Sequence, residues 1–106
     1  MKHMLETLSS EPLYSFYENA MNDTRMLNAA LARVLKLLQL PTDEKYDAPN
    51  MIRMWSYLYN LYDGDVALMQ HWIHTYNTHL EFVPADCLNT ELLLSIVNYL
   101  DSFVSH

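Results

Sequence analysis

The chain contains one glycine. Phosphate-cradling loops of the Walker type and the dinucleotide fingerprint need at least two, because only glycine lets the backbone approach a phosphate closely enough. The same scarcity argues against a many-turned all-β fold, where tight turns repeatedly require φ > 0. There is one cysteine, Cys87, so no disulfide can form within the chain and a reducing compartment is expected. Positive charge is also scarce: six Lys and Arg stand against thirteen Asp and Glu, a balance of −7. Such a surface repels a phosphate backbone, and no nucleic-acid ligand is expected. Long apolar runs are missing as well. None approaches the roughly 20 residues of a spanning helix, and Met1-Lys2-His3-Met4-Leu5-Glu6 lacks the continuous apolar stretch of a secretory signal. The expectation is a cytoplasmic protein that does not enter membranes.

What the chain has is apolar surface: 51% of its 106 residues, with eight tyrosines, three phenylalanines and two tryptophans. That excludes disorder by composition, and the length fits one domain with its own core. The apolar residues recur at helical spacing. Ser10 can cap a helix running to about Met21, with Leu13, Phe16, Tyr17 and Ala20 on one face. Asp23 or Thr24 can cap a second, carrying Leu27, Ala30, Leu31, Val34, Leu35 and Leu38, which Pro41 stops. A third opens near Pro49 and is apolar around much of its circumference: Met51, Ile52, Met54, Trp55, Leu58, Tyr59, Leu61 and Tyr62. In Tyr62-Asp63-Gly64-Asp65, Gly64 suits the left-handed residue that ends a helix and Asp65 the N-cap of the next. The fourth runs from Val66 to about Tyr76, with Val66, Met69, Trp72, Ile73 and Tyr76 as its buried stripe. After a connector, Pro84 starts a short turn to Leu88, and Asn89 or Thr90 caps a last helix with Leu92, Leu93, Ile96, Val97, Leu100 and Phe103 on its apolar face. These segments specify an all-α, small single-domain bundle of about five helices, with Trp55 and Trp72 buried together between the third and fourth.

Several constellations invite chemistry. His71 and His74, three apart on one helix with His79 nearby, have a spacing that can share a metal, but no metalloprotease motif accompanies them and a role as polar flanks of the Trp72 stripe accounts for them better. Cys87 lies between Asp86 and Leu88 in a short turn, where packing is the ordinary role of a lone cysteine. Asp63 and Asp65 lack the twelve-residue ligand pattern of a calcium loop, and capping explains them better. Tyr57, Tyr59 and Tyr62 crowd one helix as a binding surface or as amphipathic residues at the core boundary. No nucleophile, base and oxyanion donor come together in the pattern, so no catalysis, cofactor or metal is expected.

From about Met51 onward the order of elements is more specific than any one of them. Leu58-Tyr59-Asn60-Leu61-Tyr62-Asp63-Gly64-Asp65 ends one helix; Trp72-Ile73 lies on the next; Asn77-Thr78-His79-Leu80 follows, then Pro84-Ala85-Asp86-Cys87-Leu88, Thr90, and Val97 to Leu100. This succession resembles the toxin-binding domain of the Xre/MbcA/ParS-type bacterial antitoxins. Glu81 and Phe82 stand where that family usually carries Gly-Gly or Gly-Asn, and Pro84 arrives about one residue early. The resemblance implies an N-terminal helical extension over 1–48, which is not a full DNA-binding helix-turn-helix, and an antitoxin-like domain over 49–106, together one compact domain. It further implies a non-enzymatic inhibitor whose partner is a RES-type, NAD-consuming toxin with its active site blocked. The residues leave the oligomeric state open, a homo-oligomer included. A stand-alone helical interaction module without a toxin is the alternative. The expected partner-binding residues are Asn77, His79, Leu80, Glu81, Phe82 and Pro84. Asn77 would brace the connector, Leu80 would anchor it inward, and His79 and Glu81 would face out. Phe82 would either face out as an interface anchor or fold back between the fourth and fifth helices.

Overall fold

The computed structural model describes residues 23 to 104, and within them the chain is all-α. It has four α-helices: α1 (Thr24–Leu37), α2 (Ala48–Leu61), α3 (Val66–His74) and α4 (Leu92–Val104), with one 3-10 turn at Pro84–Asp86. That is one α-helix fewer than the five expected. The remaining segment, Ser10 to Met21, lies outside the described residues. The nearest thing to β structure in them is an isolated antiparallel bridge between Asn77 and Phe82.

Local chemistry starts and stops each helix. The Asp23 carboxylate accepts the N–H groups of Arg25 at 2.9 Å and Met26 at 3.4 Å, opening α1. Asp47 opens α2 by accepting the N–H of Asn50, and its other oxygen accepts the Asn50 side-chain amide at 2.9 Å. Asp65 accepts the Leu68 N–H at 3.2 Å at the start of α3. Thr90 leads into α4, its Oγ1 accepting the Leu92 N–H at 3.1 Å while donating to the Cys87 carbonyl at 2.7 Å. Each satisfies a donor that a helix start would otherwise leave unpaired.

The two longest helices end by the same device. Leu40 N–H reaches back to the Leu35 carbonyl at 2.8 Å, with Gln39 left-handed at φ 57°. Gly64 N–H reaches the Tyr59 carbonyl at 2.9 Å, with Asp63 left-handed at φ 51°. These six-to-one bonds are Schellman closures. The left-handed step that closes α2 thus begins at Asp63, and Gly64, at φ 78°, continues it. Glycine is still required there: an added Cβ would lie 3.0 Å from the Tyr59 ring.

α2 is the central element, packing on α4, α1 and α3. Met51, Ile52, Met54 and Leu58 from α2 meet Ala30, Val34, Leu35 and Leu38 from the α1 side, Met69 and Ile73 from α3, and Leu93, Ile96, Val97 and Leu100 from α4 in one core. Three methionines in that core are fully enclosed, which is the gap-filling use of a flexible thioether.

Neither tryptophan belongs to the enclosed set; both are half-buried and pack against the core from outside. Trp55 leans on Tyr59 at 5.9 Å, whereas Trp72 lies against Tyr99 of α4 at 6.5 Å, so they do not share the space between α2 and α3. Met54, Leu58, Met69 and Ile73 fill that interior instead, because unbranched and aliphatic side chains fit a tight hairpin that two indoles would overfill. The apolar faces are also narrower than spacing suggested. α3 stops at His74, leaving Tyr76 beyond it and 57% exposed; Leu61, Leu92 and Phe103 are exposed too. No helix among the described residues is long and apolar enough to cross a membrane.

Candidate functional site

The connector between α3 and the Pro84 turn is folded by its own polar groups. The Asn77 carboxamide oxygen accepts the N–H groups of His79 and Leu80, both at 2.9 Å. The short polar side chain thereby imitates a backbone turn. Glu81 N–H donates to the Asn77 carbonyl at 2.7 Å, and Asn77 N–H donates to the Phe82 carbonyl at 3.0 Å. Between these two bonds the chain reverses, with Glu81 left-handed at φ 68°. Four hydrogen bonds converging on one residue make 77–82 a closed loop rather than a slack linker.

Of the six residues expected to bind a partner, the structure presents two. His79 and Glu81 are exposed at the loop's rim. Asn77 is half-buried beneath it as the brace. Leu80 packs inward against the core, as expected of an anchor. Phe82 also packs against the core, so it takes the folded-back course and is not an outward anchor. Pro84 is buried and starts the 3-10 turn, where its missing N–H costs nothing. The loop is therefore a polar rim on an apolar foot.

The histidines separate in space by role. His74 Nε2 lies 2.8 Å from the Leu38 carbonyl, at the end of α1. His79 stacks on Tyr99 of α4, 4.7 Å between ring centres and 26° between planes. Among the described residues no three His, Cys, Asp or Glu side chains group closely enough to hold a metal ion. Cys87 sits on the Pro84 turn, and burial together with the adjacent Asp86 carboxylate pushes its thiol up, away from the reactive thiolate.

The clustered tyrosines sit at the core boundary. Tyr57 donates its hydroxyl to Asp101 of α4 at 2.7 Å and accepts from the Arg53 guanidinium at 3.3 Å, tying α2 to α4. The Tyr59 ring fills the space a side chain at position 64 would need. Burial, then the neighbouring Tyr99, raises the Tyr62 phenol above its ordinary range. Sequence reasoning missed Tyr99 altogether. It sits on α4 between Trp72 and His79 with Phe103 against its edge at 4.9 Å. The signal was available in the spacing of Tyr99 and Phe103, four apart and hence on one helix face.

No family model, no curated protein and no solved structure matches the chain.

Proposed function

We propose that the chain is a non-enzymatic protein-binding domain that works as the antitoxin of a bacterial toxin–antitoxin pair in the cytoplasm, occluding the active site of a RES-type, NAD-consuming toxin. The single observation that carries the reading is the closed loop at 77–82. Occlusion asks of an inhibitor only a shape that does not yield, and a loop braced by Asn77 offers His79 and Glu81 without paying much ordering entropy on binding. The acidic balance of −7 suits a partner whose pocket is basic for dinucleotide phosphates. The stand-alone interaction module is the second reading. Phe82 favours it, since its packing against the core withholds the aromatic that a toxin-facing connector would offer.

The test is co-expression with the RES-type reading frame adjacent to the gene. Expected are retained cellular NAD and growth with the parent chain, and loss of both when His79 and Glu81 are replaced together by Ala. NAD depletion that the parent chain does not relieve overturns the antitoxin reading, as does an adjacent sequence encoding no such enzyme.

A further inference from the structure

α1 reverses the charge of the chain. It carries Arg25, Arg33 and Lys36, half of the six Lys and Arg in the sequence, and no Asp or Glu, whereas the whole chain stands at −7. Helical spacing gathers the three on one side. Arg25 and Lys36 lie three turns apart with Arg33 between them, and Ala29 and Ala32 form the floor of the same side. All five are exposed, and the buried face of Ala30, Val34 and Leu35 looks the other way. Met26 and Leu37, each 37% exposed, run along one edge. Among the described residues no ion pair or side-chain hydrogen bond engages Arg25, Arg33 or Lys36, so their charge is not neutralised within the fold. Arg25 also stands against a local rule. It lies in the first turn, where the positive end of the helix dipole disfavours a cation. Asp23 caps that end through the backbone N–H groups of Arg25 and Met26, not through the guanidinium. A cation kept there at a cost to the helix points to a use outside it.

We propose that the outer side of α1 docks an acidic helix of a protein partner, as a second contact surface independent of the loop at 77–82. Three cations over about 16 Å match carboxylates placed on successive turns of one helix, and the alanine floor lets the two backbones approach. The acidity of the rest of the chain selects a compact occupant. A nucleic-acid duplex or an anionic membrane extends well past α1 and meets that repulsion. A single helix laid on α1 interacts mainly within the Debye length of about 8 Å. A second copy does not supply the complement, because no described α-helix of this chain carries more than one carboxylate.

The experiment titrates the full chain, at physiological salt, against a fluorescent alanine-based helical peptide with glutamates along one side. A peptide of identical composition with the glutamates spread round the helix, and a lysine counterpart of the first, are the controls. The one-sided peptide is expected to bind about tenfold tighter than the spread one, and the lysine peptide not at all. Arg25→Gln, Arg33→Gln and Lys36→Gln are each expected to weaken it about three- to fivefold, while Lys45→Gln, on the α1–α2 connector, stays within about twofold. All four positions are exposed, so the variants keep the fold. Arg25→Gln is also expected to raise the melting temperature by about 1–4 °C, as the cation leaves the N-terminal turn. A weaker complex in a more stable protein separates a binding role from a structural one. Equal binding of the two glutamate peptides, or equal losses from Arg33→Gln and Lys45→Gln, would mean general attraction of polyanions and overturn the proposal. Tighter binding of a short DNA duplex or of phosphatidylglycerol vesicles than of the one-sided peptide overturns it in favour of those surfaces. Peptide affinity that rises when Glu11 and Glu18 are both replaced by Gln assigns this side of α1 to the chain's own N-terminal segment instead.

Discussion

Asn77→Ala is the sharpest perturbation of the closed loop. The substitution leaves both backbone bonds across the loop in place and deletes the acceptor for two N–H groups, each held at 2.9 Å. The two donors fare differently once it is gone. His79 is exposed, so its N–H regains water; Leu80 is half-buried against the core, so its N–H loses its partner where water enters poorly. At about 1 kcal/mol net for each bond, with the Leu80 group at the higher end, the loss is about 2 kcal/mol. Asn77→Asp is the matched control. It keeps the accepting oxygen and the side-chain shape, and a charged acceptor holds the same two N–H groups more strongly, which offsets the cost of a charge at a half-buried position, so it is expected to stay within about 0.5 kcal/mol of the parent. The assay is urea unfolding read by circular dichroism. For an m-value of about 2 kcal/mol/M, Asn77→Ala moves the midpoint down by about 1 M with the slope unchanged. Amide exchange at Leu80 should speed up in the same variant, reporting the loop directly. If Ala and Asp cost the same, or if Ala costs less than about 0.5 kcal/mol, the carboxamide oxygen does not hold the loop.

Four further outcomes are expected. Gly64→Ala should lower stability by about 2–3 kcal/mol in thermal unfolding, combining a left-handed alanine with a Cβ pressed against the Tyr59 ring; a neutral result would mean that the turn relaxes freely. Ile73→Ala, at a fully enclosed position, should cost about 2–5 kcal/mol in urea unfolding, whereas Leu68→Ala, on the exposed side of the same helix, should cost under about 1 kcal/mol. Tyr46, Tyr62 and Cys87 all have raised pKa values, with burial the leading cause for each, so the folded chain holds these protons more tightly than the unfolded one. Stability from these groups is full below their unfolded values and is lost as pH climbs through the folded ones, so chemical unfolding measured from neutral pH upward should show a decline in the alkaline range and none from these groups below it. At mildly alkaline pH Cys87 should alkylate more slowly in the folded protein than in urea, and equal rates would contradict its shielding.

Helices were legible where they could be read from backbone chemistry local to them. Asp65 and Gly64 announce the α2–α3 turn because a carboxylate cap and a left-handed glycine act over only a few residues. The Schellman end of α1 was hidden, since Gln39 gives no hint that it will adopt φ 57°; the neighbouring Pro41 accounted for the stop without it. Burial was read less well than helicity. Spacing placed Trp72, Tyr76 and Phe103 on apolar stripes, but how far a stripe is covered depends on which helix arrives opposite. α3 ends before Tyr76, and Phe103 lies on the α4 flank beside Tyr99. The inward brace and outward rim of the connector followed from residue type: Asn77 folds on its own backbone and Leu80 seeks apolar company. The direction of Phe82 did not, because the core that receives it is assembled from residues remote in sequence.

The end of α1 is completed from far along the chain. Gln70 donates its side-chain amide to the Leu37 carbonyl at 2.6 Å, 33 residues away, and His74 meets the next carbonyl, Leu38. During synthesis, therefore, α1 leaves the ribosome with its last turn solvated, and only after α3 has emerged can those two carbonyls find protein partners. At roughly 5–20 residues per second, that interval is on the order of seconds, long compared with helix formation itself. The first described helix is thus finished only once the third has emerged, and a nascent chain halted before Gln70 should protect the amides of early α1 while leaving its far end frayed.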